Sequence, residues 1–139
     1  GGVPITALRV LVVEDKPELR RLIRRFLEND RHSVHAAASG TEGVRLFAKH
    51  EVDVVLTSRA LPDISGDQVA DQVKTASTPK PVIMLTGFGD MMEASGDRPA
   101  NVDLVISKPV TVEKLRDALE KTVPQKDRTP SVPAAGAGS

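Results

Sequence analysis

The sequence, 139 residues long, contains no cysteine. Disulfides, thiolate metal sites and thiol catalysis are therefore excluded. Tryptophan and tyrosine are also absent, and only three phenylalanines occur. A nucleic-acid platform of stacked aromatic rings has no material to work with. Neither sign of charge is in excess, because 19 basic side chains balance 19 acidic ones. A neutral chain offers no electrostatic argument for nucleic acid or an anionic membrane as its partner. Long apolar runs are missing as well. The longest are about five residues, against the roughly 20 needed to span a bilayer. No basic-then-apolar leader opens the sequence as written, so a cytoplasmic setting is expected.

What is present fits one soluble domain. Apolar residues make up 40% and charged residues 27%, the ordinary balance of a globular protein. Residues 1–7 show little pattern and are expected to be a flexible N-terminal segment. From Pro124 to Ser139 the chain is rich in Pro, Ala, Gly and Ser. Such a stretch buries too little surface to offset its ordering entropy, and it reads as a flexible tail or linker. The folded domain is expected over 8–123.

Within that range short apolar runs alternate with helical patterns. Strands are expected at Arg9–Val13, Ser33–Ala37, Asp53–Thr57, Pro81–Thr86 and Val102–Ile106. Pro17 suits a first helical turn, and Leu19, Leu22, Ile23, Phe26 and Leu27 recur at helical spacing behind it. Ser39-Gly-Thr-Glu42 has the pattern of a capping box. Val69, Ala70 and Val73 mark a short helix, and Thr111 can cap a last one. Residues 90–101 are poorly patterned and hold one short helix at most. The βα alternation predicts an α/β fold, a doubly wound five-stranded parallel sheet of flavodoxin-like type with helices on both faces.

In such sheets ligands bind beyond the carboxyl ends of the strands. Glu14 and Asp15 follow strand one, and Ser58 follows strand three. Thr86 closes strand four, and Lys108-Pro109 follows strand five. Two acids, hydroxyls and a lysine on one edge suit a hard cation together with an anionic oxygen ligand. Each feature alone has a plainer reading. Lys108 by itself would be a surface lysine, Thr86 a turn cap, and the acid pair a solvated loop near a helix start. Their joint placement favours the site.

The segments VVED (Val12–Asp15), DVVLTSRALPDISG (Asp53–Gly66), VIMLTG (Val82–Gly87) and ISKP (Ile106–Pro109) together resemble the receiver domain of two-component response regulators. The resemblance covers about Arg9 to Val123. It implies that Glu14 and Asp15 bind Mg²⁺, with Asp15 the more direct ligand and the Ala60 backbone carbonyl a third. It implies that Thr86 and Lys108 contact the phosphoryl group, and that the Lys108–Pro109 bond is often cis. It also implies a histidine kinase or histidine-containing phosphotransfer protein as partner. The domain would not be an enzyme beyond catalysing its own phosphorylation and dephosphorylation.

Two departures stand out. The acceptor position, four residues before Pro62, holds Ser58 where the family has aspartate. A serine hydroxyl is not ionised at neutral pH and needs a base to make it a nucleophile. The cation site is also expected to weaken. Val105 stands where the family commonly has an aromatic switch residue, and Phe88 could supply a ring nearby. The primary reading is a phosphorelay receiver disabled by Ser58. The alternative is a pseudo-receiver that binds proteins without phosphorylation. A nucleotide enzyme or hydrolase is disfavoured, since no GxGxxG, GxxxxGK[ST] or GxSxG motif occurs. Arg20, Arg21, Arg24 and Arg25 are expected on a solvated helix face, which in the family borders the phosphotransfer docking surface. His32, His35 and His50 show no metal-ligand spacing and receive no role. Asp63 is off register as an acceptor.

Overall fold

The computed structural model describes residues 6–87, 95–96 and 98–123. Along the chain lie β1 (Arg9–Val13), α1 (Pro17–Asn29), β2 (Ser33–Ala37), α2 (Gly40–Lys49) and β3 (Val54–Ser58). Next come α3 (Gly66–Ala76), β4 (Val82–Thr86), β5 (Leu104–Ser107) and α4 (Val112–Thr122). All the strand pairings are parallel, in the order β2-β1-β3-β4-β5. The expected α/β sheet is observed. Residues 90–94 and 97 of the stretch expected to hold a short helix, both terminal segments over residues 1–5 and 124–139, and Phe88 lie outside the described residues.

Why this sheet forms follows from the side-chain period of two. On β1, Val10 and Val12 enter one core with Ile23, Leu27, Leu115 and Leu119. Leu11 and Val13 enter the other, with Val69 and Val73. Both faces are covered, so β3 and β4 are buried along their whole length. Val105 belongs to the second core at 7% exposure, beside Met84 and Val102. Its position is filled by packing.

The helix ends show how sequence sets local structure. Pro17 occupies the first turn of α1, as its missing N–H allows. Ile23 and Leu27 are buried, whereas Leu22, expected on the same apolar face, stays 38% exposed. Ser39 caps α2 by accepting from Glu42 N. Glu42 reaches back to Ala38 N, one residue past the N-cap N–H that the expected reciprocal box would use. The complete box lies at α3, where Ser65 and Gln68 satisfy each other's backbone N–H groups. Thr111 caps α4 as expected, accepting from Lys114 N at 3.1 Å.

His32 is a buried titratable group away from the carboxyl edge of the sheet. It is 4% exposed, and its Nδ1 accepts the Leu8 N–H at 2.9 Å. Burial pushes the imidazole below its ordinary value of 6.5. The unfolded chain then binds the proton more readily than the folded one. The stability is full above about pH 6.5 and is lost as pH falls through the lower folded value. We expect the melting temperature to drop between about pH 7 and about pH 5. His32→Asn, which keeps an acceptor near Nδ1, should flatten that drop. His50 is also shifted down and adds a slope of the same sign that the variant retains. An unchanged slope in His32→Asn would remove this account.

Candidate functional site

The strand order places the switch between β1 and β3, since β2 and β3 flank β1 on opposite sides. Glu14, one residue past β1, extends the parallel pairing by donating its N–H to Ala37 O at 3.0 Å. Its side chain meets the end of β3 at Ser58. Glu14 is fully buried, and Ser58 is 1% exposed. The Ser58 hydroxyl donates to Glu14 Oε1. Lys108 Nζ stands 3.8 Å from the same oxygen. Glu14 Oε2 accepts the Lys16 N–H at 2.9 Å. One buried carboxylate thus gathers a hydroxyl, an ammonium and a backbone N–H.

Backbone pairing delivers the rest of the cluster. Thr86 closes β4, is 6% exposed, and its carbonyl accepts the Lys108 N–H at 3.0 Å. The Lys108–Pro109 peptide is cis. Thr57 hydroxyl donates to Ser58 O at 2.9 Å, and Arg59 N donates to Leu85 O at 3.1 Å. Asp15 lies alongside with one carboxylate oxygen, Oδ1, buried and without a hydrogen-bond partner. Ala60 is exposed on the loop after β3 and is not among the residues these contacts join.

The oxygen donors suit a hard cation. Asp15 Oδ1 is a buried acceptor without a hydrogen-bond partner, and the buried Glu14 precedes it in the chain. Among the described residues no group of three or more His, Cys, Asp or Glu side chains could hold a metal ion.

Several neighbours have roles that the sequence did not reveal. Asp63 accepts from Gly40 N and Thr41 N at 3.0 Å each and from Ile64 N at 2.8 Å. Hydrogen bonds from Thr41 and Ile64 hold its carboxyl far below the usual range. It pins the loop after β3 to the start of α2. Arg20 is not on a free polar face: its guanidinium donates to Glu14 O at 2.8 Å and Asp15 O at 3.3 Å. Arg24 pairs with Glu28, while Arg21 and Arg25 are exposed. The rings of His35 and His50 stack with centroids 4.0 Å apart. The Asp63 contacts with α2 and the His35–His50 stack join positions far apart in sequence, so no local pattern announces them.

A five-stranded parallel sheet with acids, a buried hydroxyl and a lysine at its carboxyl edge defines a doubly wound α/β fold whose candidate site lies where such sheets bind their ligands. The profile of the response regulator receiver domain matches residues 10–120. The chain belongs to that family. It is 31% identical to the transcriptional regulatory protein GlrR of Escherichia coli K12 over 85% of this chain and 28% of that protein. It is 36% identical to the virulence sensor protein BvgS of Bordetella pertussis over 96% of this chain and 12% of that protein. Of response regulator MprA from a Mycobacterium species it matches 56% at 30% identity, over 91% of this chain. The chain therefore spans from an eighth to about half of these relatives. A receiver domain protein from Clostridium thermocellum superposes with TM-score 0.77 at 31% identity, over 86% of this chain and 96% of that one. The regulator TrrA of Thermotoga maritima, solved in complex with Mg²⁺ and BeF, superposes with TM-score 0.74 at 25% identity, over 83% of this chain and 98% of that one.

Proposed function

We propose that this chain is a phosphorelay receiver whose phosphoacceptor position is Ser58, so that it does not take a labile phosphoryl group. The observation that carries the proposal is the hydrogen bond from Ser58 to Glu14 beside Lys108. A hydroxyl at the end of β3, bonded to an acid that follows β1, supports the reading of Ser58 as the position of a receiver's nucleophile. Asp15, Glu14 and the Ala60 carbonyl are the groups that would hold Mg²⁺. The ion would neutralise phosphoryl charge when bound. Lys108 and Thr86 would hold phosphoryl oxygens.

The chemistry stops at the nucleophile. Transfer from a phosphohistidine breaks a P–N bond and forms an O–P bond. An ionised carboxylate can make that attack directly, whereas Ser58 must first lose a proton. Glu14 accepts a hydrogen bond from that hydroxyl, and the same carboxylate also accepts the Lys16 N–H and stands 3.8 Å from Lys108 Nζ. The partner remains a histidine kinase or a histidine-containing phosphotransfer protein, and the domain acts by being bound, without turning over a separate substrate. No nucleic-acid contact by this domain is proposed. Among the described residues no helix is long and apolar enough to cross a membrane, and we assign the domain to the cytoplasm.

The self-contained pairing of Glu14, Ser58 and Lys108 also favours the second reading, a pseudo-receiver that presents its surface without phosphorylation. The test is intact mass after incubation with Mg²⁺ and acetyl phosphate, followed by hydroxylamine, which cleaves acyl phosphates. The chain is expected to show no hydroxylamine-labile adduct. Such an adduct on this chain would sink the reading of Ser58 as a disabling residue.

A further inference from the structure

Ser58 differs from a carboxylate in more than charge. A carboxylate only accepts hydrogen bonds, whereas a hydroxyl can donate one. Here the donated bond goes to Glu14 Oε1. Lys108 Nζ lies 3.8 Å from that same oxygen, and Oε2 is taken by Lys16 N–H at 2.9 Å. Glu14 has no exposed surface, so these partners replace all of its hydration. Asp15 is the opposite case, with a buried oxygen and no partner for it. Two adjacent acids that the sequence presents as a pair are split by the structure into one that is satisfied and one that is not.

We infer that Ser58 and Lys108 together latch Glu14, withholding it from a divalent cation and leaving Asp15 as the acid with an oxygen to give. The inference rests on the reading of this edge as a receiver's cation site. A cation recruiting Glu14 must displace the Ser58 hydroxyl. It must also share an oxygen with an ammonium already 3.8 Å away. Two positive charges at that range repel strongly in a partly desolvated site. Weak cation binding is then an active effect of the hydroxyl as well as a consequence of the missing carboxylate. The two causes make opposite predictions for removal of the hydroxyl. If only the carboxylate count matters, alanine at position 58 changes nothing. If the latch operates, alanine frees Glu14.

Mn²⁺, which takes the same oxygen ligands as Mg²⁺, serves as the probe. It is titrated alone into the chain, and the free ion is read by electron paramagnetic resonance. Ser58→Ala and Lys108→Met are each expected to bind roughly tenfold tighter than the parent, the scale of one charge-assisted hydrogen bond or ion pair. Ser58→Thr keeps the hydroxyl and is expected to stay as weak as the parent. Metal-free circular dichroism melts identify any variant that has lost its fold; Lys108→Met carries the test if Ser58→Ala has. Binding by Ser58→Ala and Lys108→Met no tighter than by the parent overturns the latch, as does Ser58→Thr binding as tightly as Ser58→Ala. Ser58→Asp controls the site itself. If it too fails to bind Mn²⁺, the receiver reading of the site falls; if it binds while the other two do not tighten, the latch alone falls.

Discussion

Gly66→Ala is expected to destabilise the fold by about 3 kcal/mol, at the upper end of ordinary overpacking costs. For a chain of this size that corresponds to a melting temperature lower by about 10 °C. A Cβ on Gly66 would collide with the backbone carbonyl oxygen of Ser58 and sit 2.9 Å from Arg59 Cα. Both are main-chain atoms, so no rotamer change relieves the contact. Nor can either segment move cheaply. Ser58 is registered against Leu85 in the sheet, and Arg59 N is bonded to Leu85 O at 3.1 Å. On the other side, Gly66 N donates to Arg59 O at 2.8 Å, and the Ser65–Gln68 capping box fixes the start of α3. Gly87→Ala is the control, because a Cβ there meets nothing within 4 Å. It should change stability by less than about 0.5 kcal/mol. Equal melting of the two variants would show that the loop after β3 is softer than these contacts imply. The consequence reaches the site, since the strained atoms are those of Ser58 and Arg59 themselves.

The parallel sheet was legible because burial on both faces leaves Val- and Leu-rich runs that no amphipathic helix produces. Its boundaries were less so, for reasons visible in single residues. β3 was expected to begin at Asp53 but begins at Val54. The Asp53 carboxylate is taken by Arg9 N at 2.7 Å and by the Arg9 guanidinium, which makes it an anchor ahead of the strand. β5 was expected from Val102 and starts at Leu104. Val102 N closes a turn onto Pro99 O, and the Asp103 carboxylate accepts from Val82 N and Lys74. The apolar runs beside these positions suggest longer strands, whereas tertiary hydrogen bonds decide where the ladder starts. The site itself was legible as a set of strand ends. What the sequence could not show was which of its atoms meet. That Ser58 meets Glu14 while Asp15 Oδ1 has no hydrogen-bond partner depends on the β1–β3 register, which sets Val13 opposite Thr57. The docking of Asp63 on α2 and of His32 under Leu8 are likewise contacts over more than 20 positions.

Ser58→Asp is expected to convert the chain into one that gains a single hydroxylamine-labile phosphoryl group from acetyl phosphate and Mg²⁺. The gain in rate should be at least on the order of 10²–10⁴-fold, the usual worth of proton transfer to a positioned base, which an ionised nucleophile no longer requires. The substitution removes the hydroxyl donor from Glu14 Oε1 and sets a third carboxylate beside Glu14 and Asp15. Three acids at a buried strand end repel one another, so the metal-free variant should be less stable than the parent. Mg²⁺ should reverse that loss. At about 100 times its dissociation constant, a ligand bound only by the folded state contributes roughly 2.7 kcal/mol. The parent chain, with Glu14 held by Ser58 and Lys108, should show a much smaller shift at the same Mg²⁺ concentration. Intact mass and thermal melts with and without Mg²⁺ measure the two effects separately. If Ser58→Asp is stabilised by Mg²⁺ yet gains no phosphoryl group, Lys108 or Thr86 is misplaced for transfer and the pseudo-receiver reading prevails. If it shows neither effect, position 58 is not the acceptor position and the proposed function fails with it.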